Sequence, residues 1–409
     1  MKIKHVTKHS LIYAITTWCL YNMTLYQLIA FIGGRLRLDY VIFADALYYG
    51  VFGVMIVMYL ISGGINSKIR LNYPLLVIIV LYAVYYLYTK INFPSNFLLT
   101  RVVESYNFTR ILLFCIPAML ISSKVDSIEA FLNWNKNINT VMCIVSIYFL
   151  ISALIRSGSS EQLNLTYALA ICLCLCLYYR SVDINKRINT ILAVVGISLL
   201  LISGSRGAFL VPLVYLAINI IERIFVDETI SKRRKSILLL STIAVIIILY
   251  VFYIPLLTLI GTLVGNQGAT QKIISAFING GMFSDEGGRS VLQRMLFESY
   301  KNMPFWGYGF AGDVLAEQGL YYAHNLELEL ISDFGWTLGI VLSAILWLNS
   351  IKLLFGKGKR IALLPIAVYV MIYLQFSSSY LLMANFWLFL GMLFSQSSNN
   401  KIREDKVYV

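Results

Sequence analysis

Two arginines, a histidine and a glycine-rich string are the residues of this chain best suited to chemistry. Arg206 stands in Ser203-Gly204-Ser205-Arg206-Gly207, between two strongly apolar runs and with no other charge near it in sequence. An arginine at such a boundary carries a desolvation cost unless it meets water or an anion. Its planar fork of donors suits phosphate oxygens, and the helix expected to open at Gly207 adds a favourable N-terminus. A guanidinium that simply snorkels to the surface is the alternative. Arg289 follows Gly287-Gly288 and begins a helical-looking stretch, Val291 to Asn302, with Arg294 five residues on and on another side of that helix. Solvated charges account for both as well. His324, in Tyr321-Tyr322-Ala323-His324-Asn325, is the only histidine outside the N-terminal tail, where His5 and His9 lie. Imidazole titrates near neutrality, so His324 is the natural group for proton transfer; a structural histidine is the alternative. Glu327, Glu329 and Asp333 continue a helix from His324. Glu327 lies one turn away and within reach of the imidazole, although a solvated helix face explains the three acids too.

Other strings are weaker. Gly307-Tyr308-Gly309-Phe310-Ala311-Gly312 matches GxGxxG, but it follows Met303-Pro304-Phe305-Trp306 and not a buried strand. A dinucleotide site needs the strand–turn–helix setting, so Gly307 and Gly309 are expected in a tight turn or in close approach to a ligand. Cys172, Cys174 and Cys176 lie in one apolar run, where alternate positions point to nearly opposite helix faces, so packing is expected of them. No phosphate loop, HExxH motif or His/Cys spacing suited to a metal occurs. ATP-driven transport by this chain alone is disfavoured, and neither a metal nor a cofactor is expected.

The elements that must position these residues are membrane helices. The 409 residues are 59% hydrophobic and 13% charged, with a mean hydropathy of +0.76. A soluble chain is roughly a quarter charged. Disorder, a secreted disulfide scaffold and a soluble enzyme are therefore poor fits. Apolar runs near the roughly 20 residues that cross a bilayer predict about twelve spans. They are 11–32, 41–62, 73–91, 107–122, 138–155, 163–179, 188–203, 207–225, 236–260, 331–354, 361–377 and 380–396. Strand-like alternation of the outer-membrane kind is absent. The net charge of +13 is concentrated in short clusters between runs, such as Lys232-Arg233-Arg234-Lys235 and Lys357, Lys359 and Arg360. With the N-terminus cytoplasmic, 20 of the 33 basic residues fall on one side, as the positive-inside rule requires. Nucleic-acid binding is not the expected use of this charge. The organisation expected is nine spans over 1–260, a large outer loop over 261–330, three spans over 331–398 and a cytoplasmic tail over 399–409. A loop of that length is usually functional.

In order and setting these residues resemble the O-antigen ligase and O-antigen polymerase superfamily of bacterial envelope proteins. The resemblance rests on Ser205-Arg206-Gly207 between two spans and an outer loop opening with Gly288-Arg289. It continues through Pro-x-x-Gly-x-Gly from Pro304 to Gly309, Ala323-His324-Asn325, and Gly335 and Gly339. It covers residues 200–340, while the first half of the chain agrees only in span number. It implies a membrane-helical glycosyltransferase of the lipid-linked class, in the bacterial cytoplasmic membrane with both termini cytoplasmic. The implied donor is an undecaprenyl-diphosphate-linked glycan. Arg206 and Arg289 would bind its diphosphate and His324 would assist the acceptor hydroxyl, with Arg294, Asn325, Gly307 and Gly309 contributing to substrate binding. No metal or cofactor is implied, and the partners are membrane lipid and, left open, a chain-length regulator. The favoured reaction is polymerisation of O-antigen or capsular-type repeat units. The alternatives are an O-antigen ligase acting on an acceptor such as lipid A-core, and a polysaccharide flippase or other transporter. A transporter would more often show charges deep in several spans or paired repeats, and neither is evident in the sequence.

Overall fold

The computed structural model describes residues 2–36, 39–64, 73–94, 111–156, 161–203, 205–225, 231, 233, 235–236, 240, 289–313, 323, 325–354 and 362–404. Among them every regular element is helical. In chain order these are α1 (Lys2–Leu20), α2 (Asn22–Arg35), α3 (Tyr40–Tyr59), α4 (Tyr73–Asn92), α5 (Ile116–Ser122), α6 (Ile128–Arg156) and α7 (Glu161–Ser181). They continue with α8 (Lys186–Ser203), α9 (Arg206–Phe225), α10 (Arg289–Ser299), α11 (Leu326–Leu354), α12 (Leu364–Phe376) and α13 (Ala384–Glu404).

Seven helices are long and apolar enough to cross a membrane: Val41–Ser62, Tyr73–Asn92, Ile128–Ile155, Leu163–Ser181, Lys186–Ser203, Gly207–Phe225 and Leu326–Leu354. They coincide with seven of the expected spans, and the shorter apolar helices Ile111–Ser122, Leu364–Phe376 and Ala384–Phe394 coincide with three more. The chain is an all-α, multi-pass membrane protein. In hydrocarbon a helix satisfies every backbone polar group internally, which is why unbroken apolar runs take this form. The expected span 11–32 is two helices, α1 and α2, parted by a turn at Tyr21. Apart from residues 236 and 240, the expected span 236–260 lies outside the described residues, as do the loop residues 261–288 and the end of the tail.

The chain divides into two compact units, residues 1–137 with 290–409, and residues 138–289. In the first, α13 packs on α5 through small residues. Gly391 lies against the Met119 carbonyl, where a Cβ has no room, and Ser122 Oγ donates to the Leu388 carbonyl at 3.1 Å. Asn385 Nδ2 reaches the Leu20 carbonyl at 3.0 Å, and Thr17 Oγ1 donates to Asn135 Oδ1 at 2.8 Å. Close backbone approach and interhelical hydrogen bonds are what hold helices together where lipid is as apolar as the core.

In the second unit α7 is the central element. Of its most apolar stretch 83% is buried, against 28% for α8 and for α9. Leu173 of α7 fills the space left by Gly196 of α8. Asn139 of α6 donates to the Cys172 carbonyl at 3.2 Å and to Cys176 Sγ at 3.3 Å. All six cysteines are buried free thiols, and they serve packing.

Candidate functional site

The described site is built on a helix that folds back on itself. α11 is broken at Gly335, whose φ of 79° and ψ of 168° suit glycine alone. The first arm, 326–334, turns back beside the second arm, 336–354. Gly339 marks their closest approach, because a Cβ there would lie 2.6 Å from the Leu330 carbonyl oxygen and from Ile331 Cα. Across the two arms, Trp347 Nε1 donates to Glu327 Oε1. The expected span 331–354 therefore begins inside a hairpin, and only its part beyond Gly335 runs straight.

The glycine-rich string sits on the bend of this hairpin. Tyr308 N–H donates to the Ser332 carbonyl at 2.7 Å and Gly309 N–H to the Asp333 carbonyl at 3.1 Å. Gly307 and Gly309 have φ of 79° and 77°. A Cβ on Gly307 would stand 2.5 Å from the Asp333 oxygen and from the Gly335 nitrogen. The two glycines permit main chain to meet main chain, and both are buried. Helix α4 secures the turn from another side. Tyr88 OH donates to the Gly307 carbonyl at 3.0 Å, and Thr89 Oγ1 accepts from Phe310 N–H at 2.9 Å. Tyr308 OH donates to the Ser299 carbonyl at 2.7 Å, and burial raises its phenol above the ordinary value.

Three carboxylates are buried beneath the turn: Asp313, Glu329 and Asp333. Each is met by donors, as burial of a polar group demands. Asp333 accepts from Gly312 N–H at 3.0 Å and from Tyr380 OH at 2.6 Å. Glu329 accepts from Ser379 Oγ, and from Tyr380 N–H at 3.2 Å. Asp313 Oδ2 accepts from Ala323 N–H at 2.7 Å. Glu329 and Asp333 thus leave the solvated face that their sequence allowed. Glu327 is only partly buried, and both its oxygens accept from Gln375 Nε2 at 2.8 Å. Among the described residues no group of three His, Cys, Asp or Glu side chains is arranged to hold a metal.

Asn325 is fixed twice. Its Oδ1 accepts from Leu328 N–H at 3.0 Å, capping α11, and its Nδ2 donates to Gln375 Oε1 at 2.9 Å. The two chain neighbours of His324 are therefore both anchored, Ala323 by Asp313 and Asn325 by its cap. His324 itself lies outside the described residues, as do the side chains of Arg206 and Arg289. The backbone of Arg206 opens α9 and that of Arg289 opens α10. Beside Arg206, Ser205 Oγ is buried and has no hydrogen-bond partner among the described residues. Arg294 is exposed on α10.

Thr89, Tyr88, Asp313, Gln375, Ser379 and Tyr380 escape a reading of the sequence. For the last two a signal exists, since Ser377-Ser378-Ser379-Tyr380 is a polar break between two apolar runs. Comparison with known proteins gives no match to a family model, a curated protein or a solved structure.

Proposed function

We propose that this protein is a membrane-embedded glycosyltransferase that extends a surface polysaccharide outside the cytoplasmic membrane, with both termini in the cytoplasm. The donor is a glycan on undecaprenyl diphosphate, and the acceptor is the next lipid-linked repeat unit. The acceptor hydroxyl oxygen forms a bond to the anomeric carbon, the bond from that carbon to the diphosphate breaks, and the lipid diphosphate leaves with the electron pair. The hydroxyl proton passes to His324. Arg206 and Arg289 hold the diphosphate and stabilise the charge that grows on it. The observation that carries this reading is the anchoring of both chain neighbours of His324, Ala323 by the buried Asp313 carboxyl and Asn325 by its cap on the first turn of α11. Catalytic groups need such support from rigid elements. The buried hydroxyl of Ser205 at the opening of α9, without a partner among the described residues, supports the anion-binding part.

The test is elongation of a lipid-linked repeat unit by purified protein in vesicles, with a chelator present. Free lipid diphosphate and longer lipid-linked glycan are the expected products. Arg206→Ala and Arg289→Ala should abolish elongation, and the Lys variants should recover it only in part. His324→Ala should slow transfer by about two to four orders of magnitude while donor binding persists. Full activity in all three Ala variants refutes the assignment, and dependence on a divalent ion refutes its metal-free form. One observation favours a second reading: a helix broken beside buried carboxylates is also how secondary transporters are built. Movement of the lipid-linked glycan between leaflets, with no new glycosidic bond, would carry that reading instead.

A further inference from the structure

The first unit gathers exposed aromatic side chains around the bend at Gly335. Phe305 is 67% exposed, Trp306 56%, Phe297 52% and Trp336 45%. Phe305 and Trp306 meet edge to face with centroids 5.0 Å apart. The Phe305 carbonyl lies directly against Gly335, the residue before Trp336. Buried Tyr300 ties the remaining two together, 5.8 Å from Phe297 and 5.3 Å from Trp336. Beneath them Leu296, Tyr300, Leu328 and Ile331 form a small closed core, so the aromatics above it are surplus to packing.

What covers them is indicated by continuity and by charge. From Trp336 the exposed surface of the second arm runs on through Ile340, Val341, Ile345 and Leu348. That is the lipid-facing stripe of a helix long and apolar enough to span a membrane. The aromatic group is the end of this stripe, at the depth where Trp and Tyr rings concentrate in membrane proteins. On α10 and the turn after it, Arg294 and Lys301 are exposed seven residues apart, on one helical face, with Glu298 between them. Cations beside exposed aromatics fit phospholipid headgroups above acyl chains.

We infer that the flank of α10 bearing Phe297, and the turn bearing Phe305 and Trp306, rest in the lipid–water interface of the bilayer. The segment is part of a loop whose polarity places it in water, yet its exposed aromatics meet lipid. This inference holds whatever reaction the protein performs.

The full chain labelled with 5-fluorotryptophan and reconstituted in phospholipid vesicles tests it. Trp306→Phe and Trp336→Phe, both at exposed positions, assign the two resonances among those of the six tryptophans. The Trp306 line should broaden with a nitroxide carried on lipid near the headgroup and persist with a water-soluble gadolinium chelate. The Trp336 line, on the spanning arm, reports whether the protein is correctly inserted. Broadening of Trp306 by the chelate alone would show an aqueous loop and overturn the inference. Broadening by neither agent would mean that protein covers the patch, a partner or a second copy, and overturns it equally. If Trp306→Phe fails to insert, the fluorescence of wild-type vesicles containing brominated lipid replaces it. Loss of emission beyond that shown by the Phe305→Ser variant supports the inference, and equal loss overturns it.

Discussion

Gly335→Ala should loosen the hairpin more than any change of equal size elsewhere. The φ of 79° and ψ of 168° cost a residue with a Cβ about 1–3 kcal/mol. The new methyl would also press on the Phe305 carbonyl and stand 2.9 Å from the Gly307 nitrogen. These are backbone atoms, pinned by the bonds from Tyr308 and Gly309 to Ser332 and Asp333, so they yield little, and overpacking adds about 1–3 kcal/mol. The sum, roughly 2–6 kcal/mol, is a large part of the 5–15 kcal/mol that holds a typical domain. At about 2–4 °C per kcal/mol for a domain of 150–250 residues, the thermal midpoint of the purified protein should fall by roughly 5–20 °C. Gly53→Ala is the control. Its Cβ meets nothing within 4 Å, and in α3 it gains up to about 1 kcal/mol of helix propensity. Thermal unfolding followed by light scattering, with amide exchange at Tyr308 and Gly309, reads both variants. A Gly335→Ala midpoint no lower than that of Gly53→Ala refutes the reasoning.

Thr89→Val keeps the shape but leaves the buried Phe310 N–H without its acceptor, at a cost of about 1–3 kcal/mol, whereas Thr89→Ser should be close to wild type; equal midpoints for the two would deny the bond its role. Tyr380→Phe removes one donor from the buried Asp333 carboxyl, and a buried polar group left short of a partner costs about 1–3 kcal/mol; an unchanged denaturation midpoint would count against it. Asp313→Ala should speed hydrogen exchange at the Ala323 amide and reduce transfer, while Asp313→Asn, which keeps an acceptor oxygen, should exchange slowly; exchange equally slow in all three proteins would break the link between Asp313 and the His324 segment.

Most of the helical architecture is legible because hydrocarbon imposes a simple rule on the chain. Apolar runs such as 41–62 and 188–203 become helices at nearly their expected limits. The bend in α11 is hidden because apolar residues continue on both sides of Gly335, and hydropathy carries no sign of direction. Only the three acids ahead of that glycine hint that the first arm is not facing lipid. The tight turn at Gly307 and Gly309 is readable from glycine spacing, since positive φ is a local property. Its partners are not, because Thr89 and Tyr88 lie more than two hundred residues away and nothing in their local sequence marks them. The division into two units is likewise set by packing among distant segments, and it falls inside α6, between Asn137 and Ile138.

The reach of α4 has a consequence for how the chain is made. Tyr88 bonds a carbonyl 219 positions later, Thr89 an amide 221 positions later, and Tyr85 the Phe334 carbonyl, 249 positions on. At synthesis rates of 5–20 residues per second, α4 waits roughly 10 to 50 s in the membrane before its partners emerge from the ribosome. Thr89 spends that interval bonded within its own helix, to the Tyr85 carbonyl at 2.7 Å. The tyrosine hydroxyls have no such intrahelical refuge and must borrow water or lipid headgroups meanwhile. Any ribosome that stops before about residue 313 therefore releases a chain whose fourth helix is inserted yet incomplete, which is a form that membrane quality control could recognise.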